Sequence, residues 1–176
     1  MVLTYDEDLH QPLWQPGSGG IVGMAEVLST AGSVEMPAGY GNLAYEGVAY
    51  GAPYDPNGGA APSWLTVDGY QLTCTEGWYE PVLYGRIVWD AEGDAPAAFG
   101  PYIQGGNDAV HNDYSIVPVT PVGGGRFGCV QIVNYGPTYL TADTPLHAEW
   151  RAVGGSAPGG SNPAQSALLW TITKLS

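Results

Sequence analysis

Among the side chains able to do chemistry, Ser156 comes nearest to a catalytic spacing, and it falls short. A nucleophile elbow needs Gly-x-Ser-x-Gly on a strand-to-helix turn, whereas Gly154-Gly155-Ser156-Ala157-Pro158 has proline at the final glycine and no helix to follow. Residues 153–163 read instead as a loop between the last two strands. The glycine runs Gly17 to Gly23 and Gly123 to Gly128 lack the lysine and the βαβ setting of a phosphate loop, so they read as turns. His10, His111 and His147 share no spacing that would put two imidazoles on one metal. Asp90-Ala91-Glu92-Gly93-Asp94 offers oxygen ligands at alternate positions, a calcium pattern, but lacks the glycine and distal glutamate of an EF-hand. A second oxygen-rich patch, Asn107, Asp108, Asn112 and Asp113 around His111, is a candidate ligand loop for a cation or a sugar hydroxyl, and Asx residues equally make turns. Glu76, Glu80, Asp90 and Glu149 could supply a glycosidase carboxylate pair, but nothing singles one out. The expectation is a protein that is not an enzyme and has no cofactor, calcium being the one candidate ion.

The elements that would position these residues are strands. From residue 21 the chain is a series of short β-like runs divided by Gly, Pro, Asn and Asp: 24–29, 43–50, 63–67, 70–75, 79–89, 99–104, 113–119, 126–134, 139–150 and 167–175. Alternation is clearest late in the chain. Phe127, Cys129, Gln131, Val133 and Tyr135 share one face, and Gly128, Val130, Ile132 and Asn134 the other. Segment 20–29 has a partly helical spacing, but Gly23 and the Ser-Thr-Ala-Gly exit favour a strand. About eight to ten closely spaced strands without helices or internal repeats imply a sandwich, jelly roll or barrel.

Residues 1–20 show no period and are rich in Pro and Gly, so they read as an extended arm ahead of one domain over 21–176. Leu13 and Trp14 are its natural docking anchors, because an aromatic in a polar arm gains most from burial in a neighbour.

Acidic residues outnumber basic ones 17 to 4 for a net charge of −13, which disfavours nucleic acid and anionic membrane partners. It leaves room for a cationic one. No run approaches the apolar length of a membrane span, and Met1 to Asp8 carries no secretory signal pattern. Two isolated cysteines, Cys74 and Cys129, suit buried free thiols and synthesis in a reducing cytoplasm. Tyr40, Tyr45, Tyr50 and Tyr54, interleaved with Gly and Pro, suit either strand packing or a binding surface.

Three stretches carry a resemblance. Leu72-Thr73-Cys74-Thr75-Glu76-Gly77-Trp78-Tyr79, running on through Val82, Tyr84, Ile87 and Trp89, is a strand, a glycine turn and an aromatic-rich strand. Gly125 to Ile132 is a glycine followed by an alternating strand, and Ser166 to Leu175 is an apolar closing strand. In this order they resemble the tumour-necrosis-factor and complement-type jelly rolls over residues 24–175. The Gly-Asp pair common in that family is absent from the second stretch, and no collagen-like stalk precedes the domain. The stalkless form resembles jelly rolls carried on phage virions. The resemblance implies a homotrimer whose seam contains Tyr84, Val88, Phe127, Val133 and Tyr135. It further implies a virion location and a capsid decoration, head-fibre or minor capsid role, with the major capsid protein or other virion proteins as partners. The alternative is a tail-tip receptor-binding or lectin-like module that takes a surface glycan.

Overall fold

The computed structural model describes residues 2–6, 11–15, 20–36, 41–44, 47–105, 116–142, 145–154 and 160–175, with 2–6, 11–15 and 41–44 described as backbone only. The first two strands, β1 (Val2–Asp6) and β2 (Gln11–Gln15), pair with each other as a separate antiparallel hairpin, Leu3 opposite Trp14 and Thr4 opposite Leu13. The expected arm is thus paired with itself. The sequence shows no alternation there because Pro12 and the polar residues of β2 obscure it.

Twelve further strands form two sheets. Sheet I contains β3 (Gly23–Leu28), β7 (Gly77–Trp89), β10 (Thr120–Gly123), β11 (Arg126–Asn134), β12 (Thr138–Leu140) and β14 (Ala167–Lys174). Sheet II contains β4 (Gly41–Ala44), β5 (Leu65–Asp68), β6 (Gln71–Cys74), β8 (Ala98–Gln104), β9 (Val117–Pro118) and β13 (Leu146–Val153). The only helical turn among the described residues is a 3-10 turn at Glu92–Asp94. Pairing is nested and antiparallel: β3 with β14, β6 with β13, β7 with β11, and β8 with β9. The nested pairs alternate between the sheets. An antiparallel ribbon wrapped into two layers in this way is a jelly roll.

The strand pattern departs from expectation most plainly late in the chain, where one expected strand divides. Residues 139–150 form two strands in opposite sheets, β12 in sheet I and β13 in sheet II, with Pro145 between them. Proline supplies no ladder N–H, so the chain changes sheet there. In β7, Pro81 sits where one edge changes partner, after the pairing with β12 ends at Tyr79 and before that with β11 begins at Val82. A missing donor is tolerated at that gap.

Inward-facing residues fill the space between the sheets, among them Val27, Leu83, Ile87, Leu146, Leu168 and Ile172. Trp89 of sheet I meets Phe99 of sheet II edge-on at 5.3 Å, and Phe99 stacks on Trp150 at 5.5 Å, so aromatic contacts bridge the layers. Gly105, which follows β8, has φ +114, and a Cβ there would lie 2.1 Å from the Pro145 carbonyl oxygen. Gly105→Ala combines a strained backbone with a backbone clash, so it should cost at least about 1–3 kcal/mol. Thermal unfolding checks this, and an unchanged midpoint would mean that the turn relaxes freely.

Candidate functional site

The outer face of sheet I is the surface that the core does not explain. Residues directly opposite in an antiparallel pair point to the same side, so the register places Leu28, Leu169, Tyr84 and Ile132 in one row across four strands. A second row holds Ala167, Arg86 and Val130. Val130 is 72% exposed and Ile132 60%, with Leu28, Val122 and Tyr84 also exposed. Val88 and Val122 converge over Gly128, whose absent Cβ would lie 3.3 Å from a methyl carbon of each. That approach buries Val88 on the outer side. Single exposed apolar residues are ordinary, but a contiguous belt across four strands marks an interaction surface.

The expected seam is divided by this pleat. Tyr84 and Val88 lie on the outer face. Val133 is 2% exposed inside the sandwich, opposite Leu83, and Phe127 and Tyr135 pack against the core. Phe127, Val133 and Tyr135 therefore do not form an outer surface with Tyr84 and Val88. The period of two turns every odd-numbered residue of this stretch inward. The residues that accompany Tyr84 outside are Val130, Ile132, Leu28 and Leu169. The alternation of residues 126–134 made Val130 and Ile132 legible as one face. The neighbourhood of Leu28 and Leu169 required the register.

Toward the start of β7 the same face changes character. The row of Val82, Thr171, Glu26 and Asn134 is mixed, and the next holds Glu80, Thr173 and Met24. Asn134 Nδ2 donates to Glu80 Oε1 at 3.0 Å. At the end Trp78 faces Tyr139 across the β7–β12 pair, with the rings edge-to-face at 5.6 Å and 69°. The Tyr139 hydroxyl donates to Glu76 Oε1 at 2.5 Å, and this bond holds the phenol above its ordinary pKa.

The other candidates are dispersed. Asn107, Asp108, His111, Asn112 and Asp113 lie outside the described residues, as do the side chains of Leu13 and Trp14. Asp90 accepts from Asn162 Nδ2 at both carboxylate oxygens, at 2.7 and 2.8 Å, and from Arg126 Nε at 3.3 Å, so its carboxylate closes a turn. No group of three or more His, Cys, Asp and Glu placed to hold a metal occurs among the described residues. Glu80 and Asp90 stand ten positions apart, one early in the extended β7 and the other just past its end, about 33 Å, too far to act together on one bond. Glu149 belongs to sheet II, where it accepts from the Tyr102 hydroxyl and contacts His147 Nε2 at 3.0 Å. It is separated from both by the thickness of the sandwich.

Cys74 and Cys129 are free and buried, and burial pushes each thiol from 9.0 up to about 12. The thiolate is the nucleophile, so at pH 8 an aromatic disulfide reagent should label neither cysteine in the native protein and both after denaturation. Burst labelling of a native thiol would contradict their burial. Because the folded pKa lies above the unfolded one, their contribution to stability is complete below about pH 9 and is lost as pH rises toward about 12.

No protein-family model and no curated protein matches the chain. Solved structures resemble it in strand arrangement. The crystal structure of murine APRIL at pH 8.0 aligns at 12% identity over 86% of this chain and 99% of that one, with a TM-score of 0.48. Eiger TNF from S. frugiperda aligns at 12% over 88% and 94%, with a TM-score of 0.48. The PRD1 vertex protein P5 aligns at 10% over 90% and 100%, with a TM-score of 0.47.

Proposed function

We propose that this chain is a virion structural protein, a trimeric capsid decoration or head-fibre subunit. In this reading it assembles through the outer face of sheet I and docks through residues 1–20. The observation that carries the proposal is the belt of Leu28, Leu169, Tyr84, Ile132 and Val130, which is apolar on a chain otherwise kept soluble by a net charge of −13. A second copy is the occupant such a face fits, because closed symmetry removes it from solvent without leaving a sticky surface behind. The nested jelly-roll topology and the resemblance of Leu72 to Trp89, Gly125 to Ile132 and Ser166 to Leu175 to trimeric jelly rolls support the same reading.

Light scattering on the purified protein should give three times the 18.4 kDa subunit mass. A protein lacking residues 1–20 should remain a trimer, of correspondingly smaller mass, yet fail to decorate particles. A monomer at every concentration would overturn the assembly, and decoration by the truncated protein would overturn the role of the arm.

A further inference from the structure

We propose that Trp78, Tyr139 and Glu76 form a receptor for an arginine side chain presented by a partner protein. This site does not depend on the virion reading. It occupies the opposite end of the sheet face from the apolar belt, with Trp78 six positions from Tyr84 along β7, about 20 Å.

The local pleat explains why these aromatics are outside. Gly77 and Tyr79 turn inward and are buried, as is Leu140, so Trp78 and Tyr139 must face solvent, where they are 48% and 36% exposed. Their edge-to-face contact holds the pair in a defined orientation, with ring surface left open. The Tyr139 hydroxyl bond to Glu76 Oε1 holds a carboxylate beside the rings, and Glu76 Oε2 has no partner among the described residues. Glu80 adds a second carboxylate in the adjoining row.

The donor and acceptor balance selects the ligand. This end of the face presents two electron-rich rings and two carboxylates. Of the four basic residues in the chain, Arg86 lies eight positions along β7, Arg126 is paired with Asp90, and Arg151 belongs to sheet II. Lys174 turns its ammonium toward the Tyr79 ring, 5.7 Å from its centroid, and to Thr75 Oγ1 at 3.5 Å. An anion would be repelled, and a neutral ligand would gain nothing from the field of a chain at −13. A guanidinium suits both parts of the site: its flat, weakly hydrated face stacks on an indole and its N–H fork fits a carboxylate. An ammonium is a compact, strongly hydrated point charge and uses only the second part. Each contact is exposed, so one arginine should bind on the order of millimolar. Useful affinity would come from several copies engaging one partner surface.

The test is a titration of the isotope-labelled full chain, followed by NMR, with N-acetyl-arginine amide, N-acetyl-lysine amide and methyl glucoside as probes. Arginine amide should shift the Trp78 indole N–H and the Tyr139 amide saturably, lysine amide more weakly, and the glucoside not at all. Glu76→Gln, an exposed change that leaves the remaining spectrum in place, should weaken arginine binding about two- to five-fold, the size of one exposed charged contact. Trp78→Ala should do the same. An Ile132→Glu variant, altered in the belt alone, should bind arginine unchanged, which separates this site from the assembly face. No shift with arginine, an undiminished response in Glu76→Gln, or saturation by the glucoside in its place would overturn the proposal.

Discussion

Trp170→Ala should lose about 3–5 kcal/mol of stability, the cost of removing a large aromatic from a packed core. Trp170 is fully buried in β14, paired with Val27 on one side and Leu83 on the other. It also does something that a purely apolar residue could not, because its Nε1 donates to the Tyr50 hydroxyl at 2.9 Å. That bond ties the segment between β4 and β5 to the last strand, and burial raises the Tyr50 phenol above its ordinary pKa. Two further variants separate the contributions. Trp170→Phe keeps much of the apolar volume but leaves the half-buried Tyr50 hydroxyl without its donor, an expected loss of about 1–3 kcal/mol. Tyr50→Phe leaves the indole N–H unpaired and should cost a similar amount. Urea unfolding reads all three, and with a slope of about 1–3 kcal/mol per molar the alanine variant should shift the midpoint by about 1–5 M. A shift no larger than that of Trp170→Phe would show that the site collapses around the missing ring.

Ile132→Glu should convert the assembled protein to subunits. Ile132 is the most exposed member of the outer row, directly opposite Tyr84, and burying a carboxylate there on association has no cation directly across the pair to offset it. An apolar anchor of an interface costs about 2 kcal/mol or more when lost, which is at least about 30-fold in the association constant. Val130→Glu would be a poorer probe, because residue 130 faces Arg86 across the strand and would gain an ion pair. In the free subunit Ile132 is already mostly in water, so the variant's own unfolding free energy should change by no more than about 1 kcal/mol. Sedimentation equilibrium beside urea unfolding reads the two effects separately. Retention of the wild-type mass by a folded variant would exclude this face from the interface.

The two variants mark a boundary in what residue order can convey. The inward position of Trp170 follows from local alternation, as does the division of Phe127 to Tyr135 into two faces. The pleat has a period of two whatever strand lies beside it. The β class, the glycine turns and the acidic balance were legible for the same reason, since each depends on near neighbours or on composition.

The surface was not legible. The expected seam joined Tyr84 and Val88 to Phe127, Val133 and Tyr135, and the register instead sets Ile132 beside Tyr84 and Gly128 beside Val88. Likewise, the platform of Trp78 and Tyr139 brings together residues 61 positions apart, and the hairpin of residues 2–6 and 11–15 gives the arm a partner within itself. Strand alternation is a local property of the chain, but register and neighbour choice are settled by which pairing buries the most apolar surface across the whole sandwich. Residue order alone therefore told which side chains leave the core, and the tertiary structure alone decided which of them meet.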